Sequence, residues 1–440
     1  MINMKKVCNK VYGCKVNQYE TQAVAESLEQ EGYALTHDVK DADYVVINTC
    51  TVTHQSDREL EYYVRKVRRD NNNAKVFLLG CYVDHYSDKL SWMEGVDGVL
   101  KNDEKFSIAK ALKRFDNEGC FNFSSDTKEG QKDFFGKGIS YFKEHSRAFI
   151  KIQDGCNRVC SYCIVRIIRG KSRSRAYENI IEEVKRIVLS GYEEVVLTGV
   201  QLGAYGKDFQ NPSNLAALLR EISRIPEVKR IRLSSIEPMD IDDDLIECLR
   251  TNEKVCNHLH ISLQSGDDTI LFKMKRGYKR DDFIRLIRRL EREIEDFVYS
   301  TDIIVGFPGE TEEAFQNTIS LIREIPPMKI HVFPYSEREG TLAVTYDNKV
   351  PQDVKKARVR ELLRISDESF RSIAERNIGN IVSVLVEKIS EGSDKRFEVT
   401  GKSITYLPVK GYFEHKPFET IVPLKITQLN DSMLIGEPVA

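Results

Sequence analysis

The sequence lacks the features that would assign it to a membrane, disordered or repetitive class of protein. No apolar run approaches the length of a membrane span, and the opening MINMKKVCNKVYG has no apolar stretch followed by a small-residue cleavage site. No internal repeat or low-complexity tract is present. Of the 440 residues, 41% are hydrophobic and 30% are charged, the balance of a globular protein. We therefore expect a cytoplasmic protein of about three domains, with no membrane partner.

The chain also has almost no net charge. Its 66 Lys and Arg residues are offset by 68 Asp and Glu residues, which gives -2 at pH 7. A protein whose whole surface coats nucleic acid is normally strongly basic, so that class is disfavoured. Basic clusters do occur locally, in RGKSRSR (169–175), KMKRGYKR (273–280) and RKVRR (65–69). Such clusters either neutralise phosphates or are the solvated faces of helices.

Three of the ten cysteines crowd into one short segment, QDGCNRVCSYC. A long chain in a reducing compartment does not carry a disulfide framework, so clustered cysteines are expected to be metal ligands or catalytic groups. Thiolates suit zinc or iron–sulfur clusters, and Cys156, Cys160 and Cys163 can hold three corners of a cubane while the fourth iron stays open. The alternative is a zinc site with Cys120 or His145 as fourth ligand. Zinc sites usually pair two short Cys-x-x-Cys knuckles, so the single triplet favours the cluster.

A second set of three cysteines is spread over the amino-terminal part of the chain. This part alternates strand-like and helix-like segments, the pattern of an open parallel sheet covered by helices. Buried strands are predicted at DYVVINT (43–49) and KVFLLG (75–80). Cys14, Cys50 and Cys81 each follow a predicted strand, and ligands bind where the carboxyl ends of parallel strands meet. Two interpretations follow, a three-thiolate site or three buried small hydrophobic residues.

The remainder of the chain predicts two further folding units. Six strands separated by helix-length segments predict a partial (βα)6 barrel, in which binding groups gather at the carboxyl ends of the strands. These strands are RAFIKIQ, EVVLTG, RIRLSS, HLHISL, STDIIVG and KIHVFPY. Five short strands near the carboxyl terminus predict a small all-β barrel of the oligonucleotide-binding type. In the fourth barrel strand, His258 and His260 are expected to face opposite sides, one the barrel and one its helical shell.

The predicted fold class is therefore α/β, with an open parallel domain, a partial barrel and a small all-β barrel in chain order. The segment FNFSSDTKEGQKDFFGKG loses the alternation and gains Gly, Ser and charge, so it is predicted to be a linker. The predicted boundaries are 1–118 for the first domain, 119–143 for the linker, 144–370 for the partial barrel and 371–440 for the last domain.

Several motifs resemble the signatures of the radical S-adenosylmethionine superfamily. The spacing Cys156-x3-Cys160-x2-Cys163, with Tyr162 inside it, is similar to the cluster-binding loop, LTGVQ to the segment near the methionyl amine, and IVGFPGE to the segment beside the adenine. The resemblance implies that a [4Fe-4S] cluster on these three catalytic cysteines binds S-adenosylmethionine through its open iron. Glu310, in the last segment, either contacts the cofactor or caps the next helix, as does Glu237. The implied cofactor-binding residues are Tyr162, Thr198, Gln201, Ser235, Glu237, Gln264, Gly306 and Phe307.

More narrowly, the chain resembles the methylthiotransferases of that superfamily over nearly its whole length. YGCKVNQYE, NTC and LGC are similar to the family's amino-terminal cysteine positions, RGKSRSR, LSSIEP and LHISLQSG to its barrel, and TGKSITYLPV to its carboxy-terminal TRAM RNA-binding domain. The resemblance implies a second [4Fe-4S] cluster on Cys14, Cys50 and Cys81 that supplies or carries sulfur. S-adenosylmethionine then also supplies the methyl group. One departure is Arg166, where the family usually has proline, which places a charge near the first cluster.

GCKVNQYET and HVFPYSEREGT are most similar to the subgroup that acts on tRNA threonylcarbamoyladenosine. That implies conversion of the adenine C2–H of N6-threonylcarbamoyladenosine, beside the anticodon, to C2–SCH3. The substrate carboxylate calls for a cation, and Arg338 is the candidate for binding it in bidentate fashion. Lys171 and Arg173 are candidate phosphate contacts, and Tyr406 is the candidate for stacking on a base. The implied partners are the anticodon stem-loop of a tRNA, an electron donor and a sulfur source.

Three other functions are compatible with the sequence. Isopentenyladenosine in tRNA would favour an apolar pocket in place of the cation. A ribosomal-protein aspartate is the substrate of a sister subgroup with the same architecture, and the segment EREGT argues against it. A non-catalytic iron–sulfur RNA-binding regulator would need neither the open iron nor VGFPGE, and it would not cleave S-adenosylmethionine under reducing conditions.

Overall fold

The computed structural model describes residues 4–86, 93–118, 134–142, 145–392 and 396–439. They form three units in chain order: an open sheet, a partial barrel and a small closed barrel. Most of the predicted linker, with Cys120, lies outside these residues. Within the described ranges, no helix is long and apolar enough to cross a membrane.

The amino-terminal unit is a parallel sheet with the strand order β2-β1-β3-β4-β5. Its strands are β1 (Lys6–Val11), β2 (Ala34–Thr36), β3 (Tyr44–Thr49), β4 (Lys75–Gly80) and β5 (Gly98–Leu100). Its helices are α1 (Lys15–Gln30), α2 (His54–Asp70), α3 (Cys81–Tyr86) and α4 (Ile108–Glu118). Helices α1 and α4 cover one face and α2 covers the other, which explains why β3 and β4 are apolar along most of their length. The predicted open parallel sheet is confirmed.

The connections change face between β1 and β3, which are neighbours in the sheet. Helix α1 follows β1 on one face, and α2 follows β3 on the other. In open parallel sheets, ligands bind at such a switch point, outside the carboxyl ends of the strands. Cys14 follows β1 and Cys50 follows β3, so the fold places both residues at this point.

The central unit is a partial barrel of parallel strands with helices on its outside, and it also contains one antiparallel pair of two-residue strands, at 153–154 and 173–174. Its strands are β6 (Ala148–Lys151), β7 (Gln153–Asp154), β8 (Arg173–Ser174), β9 (Glu194–Thr198), β10 (Arg230–Leu233), β11 (Ser235–Ile236), β12 (His258–Ile261), β13 (Val298–Val305) and β14 (Lys329–Pro334). Its helices are α5 (Val165–Arg169), α6 (Tyr177–Leu189), α7 (Leu215–Ser223), α8 (Asp243–Thr251), α9 (Asp268–Lys273), α10 (Arg280–Glu293), α11 (Glu312–Glu324) and α12 (Gln352–Glu375).

The neighbours in this barrel follow chain order. Strands β6, β9 and β10 pair in parallel, as do β11, β12, β13 and β14. Strands β10 and β11 are two pieces of the predicted strand RIRLSS, interrupted at Ser234. All six predicted barrel strands are therefore confirmed.

The prediction that His258 and His260 face opposite sides is wrong. Both rings approach the hydroxyl of Ser300, His258 Nε2 at 3.0 Å and His260 Nδ1 at 2.9 Å. Residues two apart on a strand point to the same face. Leu259 and Ile261, on the other face, pack in the core shared with the helices. Both histidines therefore lie on the inner face of the curved sheet.

The carboxy-terminal unit is the predicted small barrel of five strands; it is closed, with the strand order β15-β16-β17-β19-β18. Its strands are β15 (Ile381–Glu391), β16 (Phe397–Ser403), β17 (Pro408–Phe413), β18 (Ile421–Asn430) and β19 (Met433–Pro438). It docks near the amino ends of the central strands, where Arg230 Nη2 donates to Ser383 Oγ (2.6 Å) and Arg232 Nη2 to Ser403 O (3.2 Å). The predicted boundary at residue 370 falls within α12, whose last turns pack against this barrel.

Candidate functional site

Cys156, Cys160 and Cys163, here called the barrel triplet, lie on the loop between β7 and α5. The loop begins at Gly155, which has φ +70°, and a Cβ atom there would lie 2.0 Å from the carbonyl oxygen of Lys171. Only glycine fits this close approach. Cys163 N donates to Cys160 O (3.2 Å), which tightens the turn. The three cysteines are partly accessible, so the loop presents them together at the carboxyl end of the first barrel strand.

Gln201, a predicted cofactor-binding residue, lies beside Cys156. Its Oε1 is 3.4 Å from Cys156 Sγ and accepts a hydrogen bond from Asn157 N (3.0 Å), while its own N donates to Gln153 Oε1 (2.7 Å). Burial raises the pKa of the Cys156 thiol to about 11, although a hydrogen bond from Arg158 N opposes the rise. The thiol alone therefore stays protonated at neutral pH, and binding of a metal would release its proton.

A buried arginine adjoins the second cysteine. Arg276 is 4% exposed and donates from Nη1 to Cys160 Sγ (3.2 Å) and Tyr162 Oη (3.3 Å). Its Nη2 donates to the carboxylate of Glu237, and its Nε to Tyr278 Oη (3.2 Å). Glu237 does not cap the helical turn that follows it. The guanidinium is placed to compensate negative charge on the thiolates.

Sequence pattern alone groups Arg276 with an exposed basic cluster, and for this residue that grouping is wrong. Lys275 beside it is exposed, whereas Arg276 turns inward in a segment where Lys275 and Gly277 both have positive φ, +57° and +75°. The sequence did contain one indication that Arg276 belongs to the site. The segment KRG lies beyond the carboxyl end of the fourth barrel strand, where this fold gathers binding groups.

Phe307 and Tyr162, two predicted cofactor residues, are in edge-to-face contact with ring centroids 6.4 Å apart. Phe307 is fully buried. Gly306 before it has φ +70°, and a Cβ atom there would lie 2.3 Å from Lys355 Cγ of α12, so this turn requires glycine. The turn therefore brings a rigid aromatic wall to the barrel triplet.

Glu310 neither caps the next helix nor has a free carboxylate. Its Oε2 accepts from Gly306 N (2.5 Å) and from Arg358 Nη1 (2.6 Å). The cap of α11 is Thr311, whose Oγ1 accepts from Ala314 N (3.1 Å). Glu310 therefore fixes the glycine turn and does not cap α11, so that expectation is wrong, while its contact with the cofactor stays a prediction.

Three further predicted cofactor residues lie along the same edge of the barrel. Thr198 ends β9 and is buried, Ser235 begins β11 and is exposed, and Gln264 follows β12. Gln264 has φ +74° and its N donates to Asp302 O (2.8 Å), so the chain turns away from the strand there. The roles of these three residues stay predictions.

Cys14, Cys50 and Cys81, here called the sheet triplet, come together at the switch point of the amino-terminal sheet. Gly13 has φ +105°, and a Cβ atom there would lie 2.7 Å from Cys50 Cβ and 3.0 Å from its Sγ. Burial raises the pKa of Cys50 to about 12, and its neighbours Cys14 and Cys81 add to the rise. Cys81 Sγ lies 3.7 Å from Asn102 Nδ2. The predicted proximity is present, and metal binding by these residues stays a prediction.

The donor sets fit iron–sulfur clusters. Each triplet offers three thiolates, and in a four-iron cluster each thiolate binds a different iron, which leaves one iron open. A closed zinc site would need a fourth protein ligand. His145, a candidate zinc ligand, contacts Phe142 with ring centroids 4.8 Å apart and planes tilted by 54°, before the amino end of β6 and opposite the cysteine loop. Cys120, the other candidate, is outside the described residues.

Only part of the predicted phosphate-binding cluster RGKSRSR is accessible. Arg169 and Arg175 are each 4% exposed and pair with carboxylates inside the protein, so they are not phosphate contacts. Lys171 is exposed, and Arg173 is partly exposed with its guanidinium 3.3 Å from the ring centroid of Phe134. Phosphate contact by Lys171 and Arg173 stays a prediction.

Arg166, the departure from the family pattern, lies in the first turn of α5 with an exposed side chain. The helix forms without proline, and Gly170 N donates to Arg166 O (3.0 Å) at its end. The charge of Arg166 is therefore solvated and does not enter the cysteine loop.

Arg338 is 2% exposed and lies between the partial barrel and the amino-terminal unit. Its Nη1 donates to Asp57 Oδ2 (2.5 Å) and its Nε to Val52 O (3.3 Å). The predicted bidentate mode is therefore wrong, because Asp57 occupies one arm of the fork. Nη2 is buried and makes no hydrogen bond of normal geometry with the described residues, although the hydroxyl of Tyr86 lies close to the guanidinium. Asp57 also lines a cavity of about 1230 Å³, whose wall carries three carboxylates and three cations: Asp57, Glu61, Glu337, Arg58, Lys355 and Lys356.

The prediction that Tyr406 stacks on an RNA base is wrong. Its ring stacks on His258, with centroids 5.2 Å apart and planes 27° apart, and the guanidinium carbon of Arg232 lies 4.5 Å from its centroid. Tyr406 therefore fills the contact between the two barrels, at the end of the strands opposite to the cysteine loop. Sequence alone does not distinguish a ring in such a contact from one that faces solvent.

Two domain families match the chain. The Radical SAM superfamily matches residues 150–322, and the uncharacterized protein family UPF0004 matches residues 6–101. The first match contains the barrel triplet, and the second contains the sheet triplet.

Similar proteins match nearly the whole chain. A threonylcarbamoyladenosine tRNA methylthiotransferase of Thermotoga maritima, MtaB, is 38% identical over 385 residues, covering 87% of this chain and 87% of that protein. A tRNA-2-methylthio-N(6)-dimethylallyladenosine synthase of Acetivibrio thermocellus is 34% identical over 420 residues, covering 91% and 84%. Among solved structures, a radical S-adenosylmethionine methyltransferase of Kitasatospora setae, TsrM, has a TM-score of 0.55 at 15% identity, covering 75% of this chain and 73% of that one. The last likeness concerns the fold alone.

Proposed function

This chain belongs to the methylthiotransferases of the radical S-adenosylmethionine superfamily, and we propose that it converts the C2–H of N6-threonylcarbamoyladenosine beside the tRNA anticodon to C2–SCH3. As a member of this family it uses S-adenosylmethionine and two [4Fe-4S] clusters. The main support for this proposal is the position of the six cysteines. Two sets of three cysteines, on different folding units, adjoin one interface, where Arg169 Nη2 of the barrel donates to Asn17 Oδ1 of the sheet unit (2.9 Å).

We assign the barrel triplet to the cluster that binds S-adenosylmethionine. When bound, the cluster and its cofactor supply the one-electron chemistry that removes hydrogen from an unactivated C–H bond. The protein positions these groups. Gln201 holds the start of the cysteine loop through Asn157 N, and Arg276 places positive charge beside Cys160. The buried ring of Phe307 keeps water from one side of the site.

We assign the sheet triplet to the cluster that supplies or carries sulfur. Cys50 and Cys81 are buried while Cys14 is exposed, so this site opens to solvent on the side of Cys14. An external sulfur source needs such an opening to restore sulfur after each turnover. We propose that this source, and an electron donor for the barrel cluster, are partners of the protein.

The threonylcarbamoyl substituent brings a carboxylate, which favours Arg338 as its binding residue. A buried guanidinium nitrogen that makes no hydrogen bond of normal geometry is uncommon, and a carboxylate at Nη2 would satisfy it through a single charge-assisted hydrogen bond. An isopentenyl group would gain nothing from this contact.

Arg338→Gln is expected to raise the KM for a threonylcarbamoyl stem-loop about tenfold, because a charge-assisted hydrogen bond is worth roughly 1.5–3 kcal/mol. Formation of deoxyadenosine without RNA should not change. Asp57→Asn is the matched control, since it breaks the same ion pair but keeps the guanidinium. An unchanged KM in Arg338→Gln would exclude this role.

We further propose that the RNA partner is the anticodon stem-loop, bound in the cytoplasm, where tRNA is modified. Lys171 and Arg173 are the proposed phosphate contacts. They follow α5, and the backbone of Lys171 packs against Gly155 at the start of the cysteine loop, so RNA bound there would lie beside the barrel triplet.

The test is a nucleoside digest of tRNA from cells that lack their own threonylcarbamoyladenosine methylthiotransferase, with and without this gene, analysed by mass spectrometry. The proposal predicts the methylthiolated threonylcarbamoyladenosine only when the gene is supplied. If methylthiolated isopentenyladenosine appears instead, or if no tRNA product forms with soluble, iron-loaded protein, the proposed substrate is wrong.

A further inference from the structure

Five charged side chains are buried together where the partial barrel meets the amino-terminal unit. Arg169, the last residue of α5, donates from Nη1 and Nη2 to Glu20 of α1 (2.9 and 3.1 Å). Lys151 Nζ is 2.7 Å from both Glu20 and Asp154, and Lys105 Nζ is 2.6 Å from Glu20. None of the five is more than 4% exposed. We call this set the buried charge network.

The network carries more positive than negative charge, because three cations face two carboxylates. Burial alone would raise the pKa of Glu20, but the cations Arg169, Lys105 and Lys151 hold it well below its usual range. The same balance of burial and cations lowers the pKa of Asp154 to about 2. Both carboxylates are therefore ionised at neutral pH, and one positive charge is left over. A buried charge without a counter-charge is costly, so this excess needs an anion nearby.

Two groups that can carry negative charge adjoin the network at Asn102, the carboxylate of Asp84 and the sulfur of Cys81 in the sheet triplet. Lys105 Nζ donates to Asn102 Oδ1 (2.7 Å), while Asn102 Nδ2 donates to Asp84 Oδ2 (2.6 Å) and lies 3.7 Å from Cys81 Sγ. Arg169 also lies near the sheet triplet, because Asn17 Oδ1, which accepts from Arg169 Nη2 (2.9 Å), is 3.9 Å from Cys14 Sγ. Two members of the sheet triplet are therefore one side chain away from cations of the network, and cysteine ligands are anionic when they hold iron.

The same arginine also connects the loops that carry the two triplets. Helix α5 starts directly after the barrel triplet and ends at Arg169. Arg169 Nη2 donates to Asn17 Oδ1 (2.9 Å), and Asn17 Nδ2 donates to Tyr12 O (2.8 Å) and Thr49 O (3.0 Å). Tyr12 and Thr49 immediately precede the loops of Cys14 and Cys50. One short helix and one buried side chain therefore set the distance between the two sites.

We propose that Arg169 is a positioning residue for sulfur transfer, which fixes the sheet triplet against the barrel triplet and supplies positive charge to the cluster that the sheet triplet holds. This inference rests on the assignment of the two triplets in the proposed function. The proposed role of Arg169 involves no bond breaking. It has two parts that can be tested separately, the positive charge of the side chain and the geometry of its hydrogen bonds.

Arg175 provides a matched control within the same segment. It is also 4% exposed and also joins the barrel to α1, through Tyr19 Oη (3.2 Å) and Glu183. Among the described residues, neither partner belongs to a cysteine-bearing loop. A purely structural contribution to the interface should therefore appear equally in both arginine variants.

The first experiment isolates the cluster of the sheet triplet. In the variant C156A/C160A/C163A, reconstituted with iron and sulfide, the remaining cluster is titrated by EPR-monitored reduction with native Arg169, Arg169→Gln, Arg169→Lys and Arg175→Gln. Arg169→Gln should make the midpoint potential more negative, because removal of a positive charge disfavours the reduced cluster. Arg169→Lys and Arg175→Gln should leave the potential unchanged.

The second experiment uses the full enzyme and the ratio of methylthiolated product to deoxyadenosine. Both Arg169 variants should lower this ratio about tenfold or more, since a small misplacement of reacting groups is costly, while Arg175→Gln should not. An unchanged potential and ratio in Arg169→Gln, or an equal effect of Arg175→Gln, would overturn the inference. If C156A/C160A/C163A with native Arg169 binds no iron, the assignment of the sheet triplet is wrong and the inference fails with it.

Discussion

The two cysteine sites of this protein are built in opposite ways. The barrel triplet occupies one loop and is contacted by one buried cation, Arg276. The sheet triplet is assembled from the ends of three strands that are far apart in the chain, and it adjoins a buried charge network with an excess of positive charge. The site assigned to cofactor cleavage is therefore defined locally. The site assigned to sulfur transfer depends on an interface between two folding units.

The largest effect is expected from Cys160→Ala, which breaks the local site. Neither deoxyadenosine nor methylthiolated nucleoside should form, and iron should fall from about eight to about four atoms per chain. Iron analysis measures the iron content, and mass spectrometry measures deoxyadenosine and the methylthiolated nucleoside. Cys248→Ala is the control, because Cys248 is buried in the barrel core and is expected to be a small hydrophobic residue only. Full activity of Cys160→Ala would contradict the assignment.

Arg276→Met tests whether the local site also depends on its cation. Removing one partner of a buried ion pair costs roughly 3–5 kcal/mol, so deoxyadenosine formation should fall at least about tenfold while the sheet cluster keeps its iron. Lys275→Met removes a neighbouring but exposed charge and should have no such effect. If the two variants behave alike, Arg276 is only part of a basic surface.

Glu20→Gln tests the support of the sheet site through stability. It leaves three cations facing one carboxylate, so the free energy of unfolding at pH 7 should fall by roughly 3–5 kcal/mol, measured by urea denaturation. Glu368→Gln removes the partner of an exposed arginine, Arg364, and should change little. Equal effects of the two variants would mean that the network contributes no more than a surface pair.

The dependence of the folding stability on pH in the acid range provides a second test of the buried charge network. Cations hold the pKa of Glu20 well below its usual range and that of Asp154 at about 2, against the effect of burial. Such carboxylates stabilise the folded state above the pKa of the unfolded chain, about 4, and this contribution is lost as the pH falls toward the folded value. The urea midpoint should therefore decline between about pH 5 and pH 2, less steeply in Glu20→Gln than in the native protein.

The smallest effect is expected from Lys171→Ala, which alters neither site. Loss of one phosphate contact should weaken binding of an anticodon stem-loop a few-fold and reduce the salt dependence of log Kd by about one unit or less. Binding measured at several salt concentrations shows this. Lys185→Ala, at an exposed position on α6, is the control. A change in the product-to-deoxyadenosine ratio in Lys171→Ala would mean that the residue belongs to the site itself.

Much of the architecture was predictable because it depends on local patterns. Strands β3 and β4 could be predicted as buried, because helices cover both faces of their sheet and their sequences are therefore apolar. The spacing of the barrel triplet identifies the cysteine loop directly. Cys14, Cys50 and Cys81 were identifiable from their positions after predicted strands, since a parallel sheet brings those ends together.

The buried cations were not predictable, because a basic run looks the same whether it is solvated or paired. Arg169 and Arg276 each stand among exposed lysines, and their partners Glu20 and Glu237 are distant in sequence. Tyr406 was misassigned for the same reason, since His258 and Arg232 lie on another folding unit. Tertiary partners decide these positions, and single-sequence patterns do not contain them.

The most direct test of the division between the two sites is Cys50→Ala, assayed with a threonylcarbamoyl anticodon stem-loop under reducing, anaerobic conditions. Deoxyadenosine and methylthiolated nucleoside are measured in the same reaction. The account predicts that deoxyadenosine still forms while the methylthiolated product is absent. A Cys50→Ala protein that still methylthiolates its RNA would contradict it.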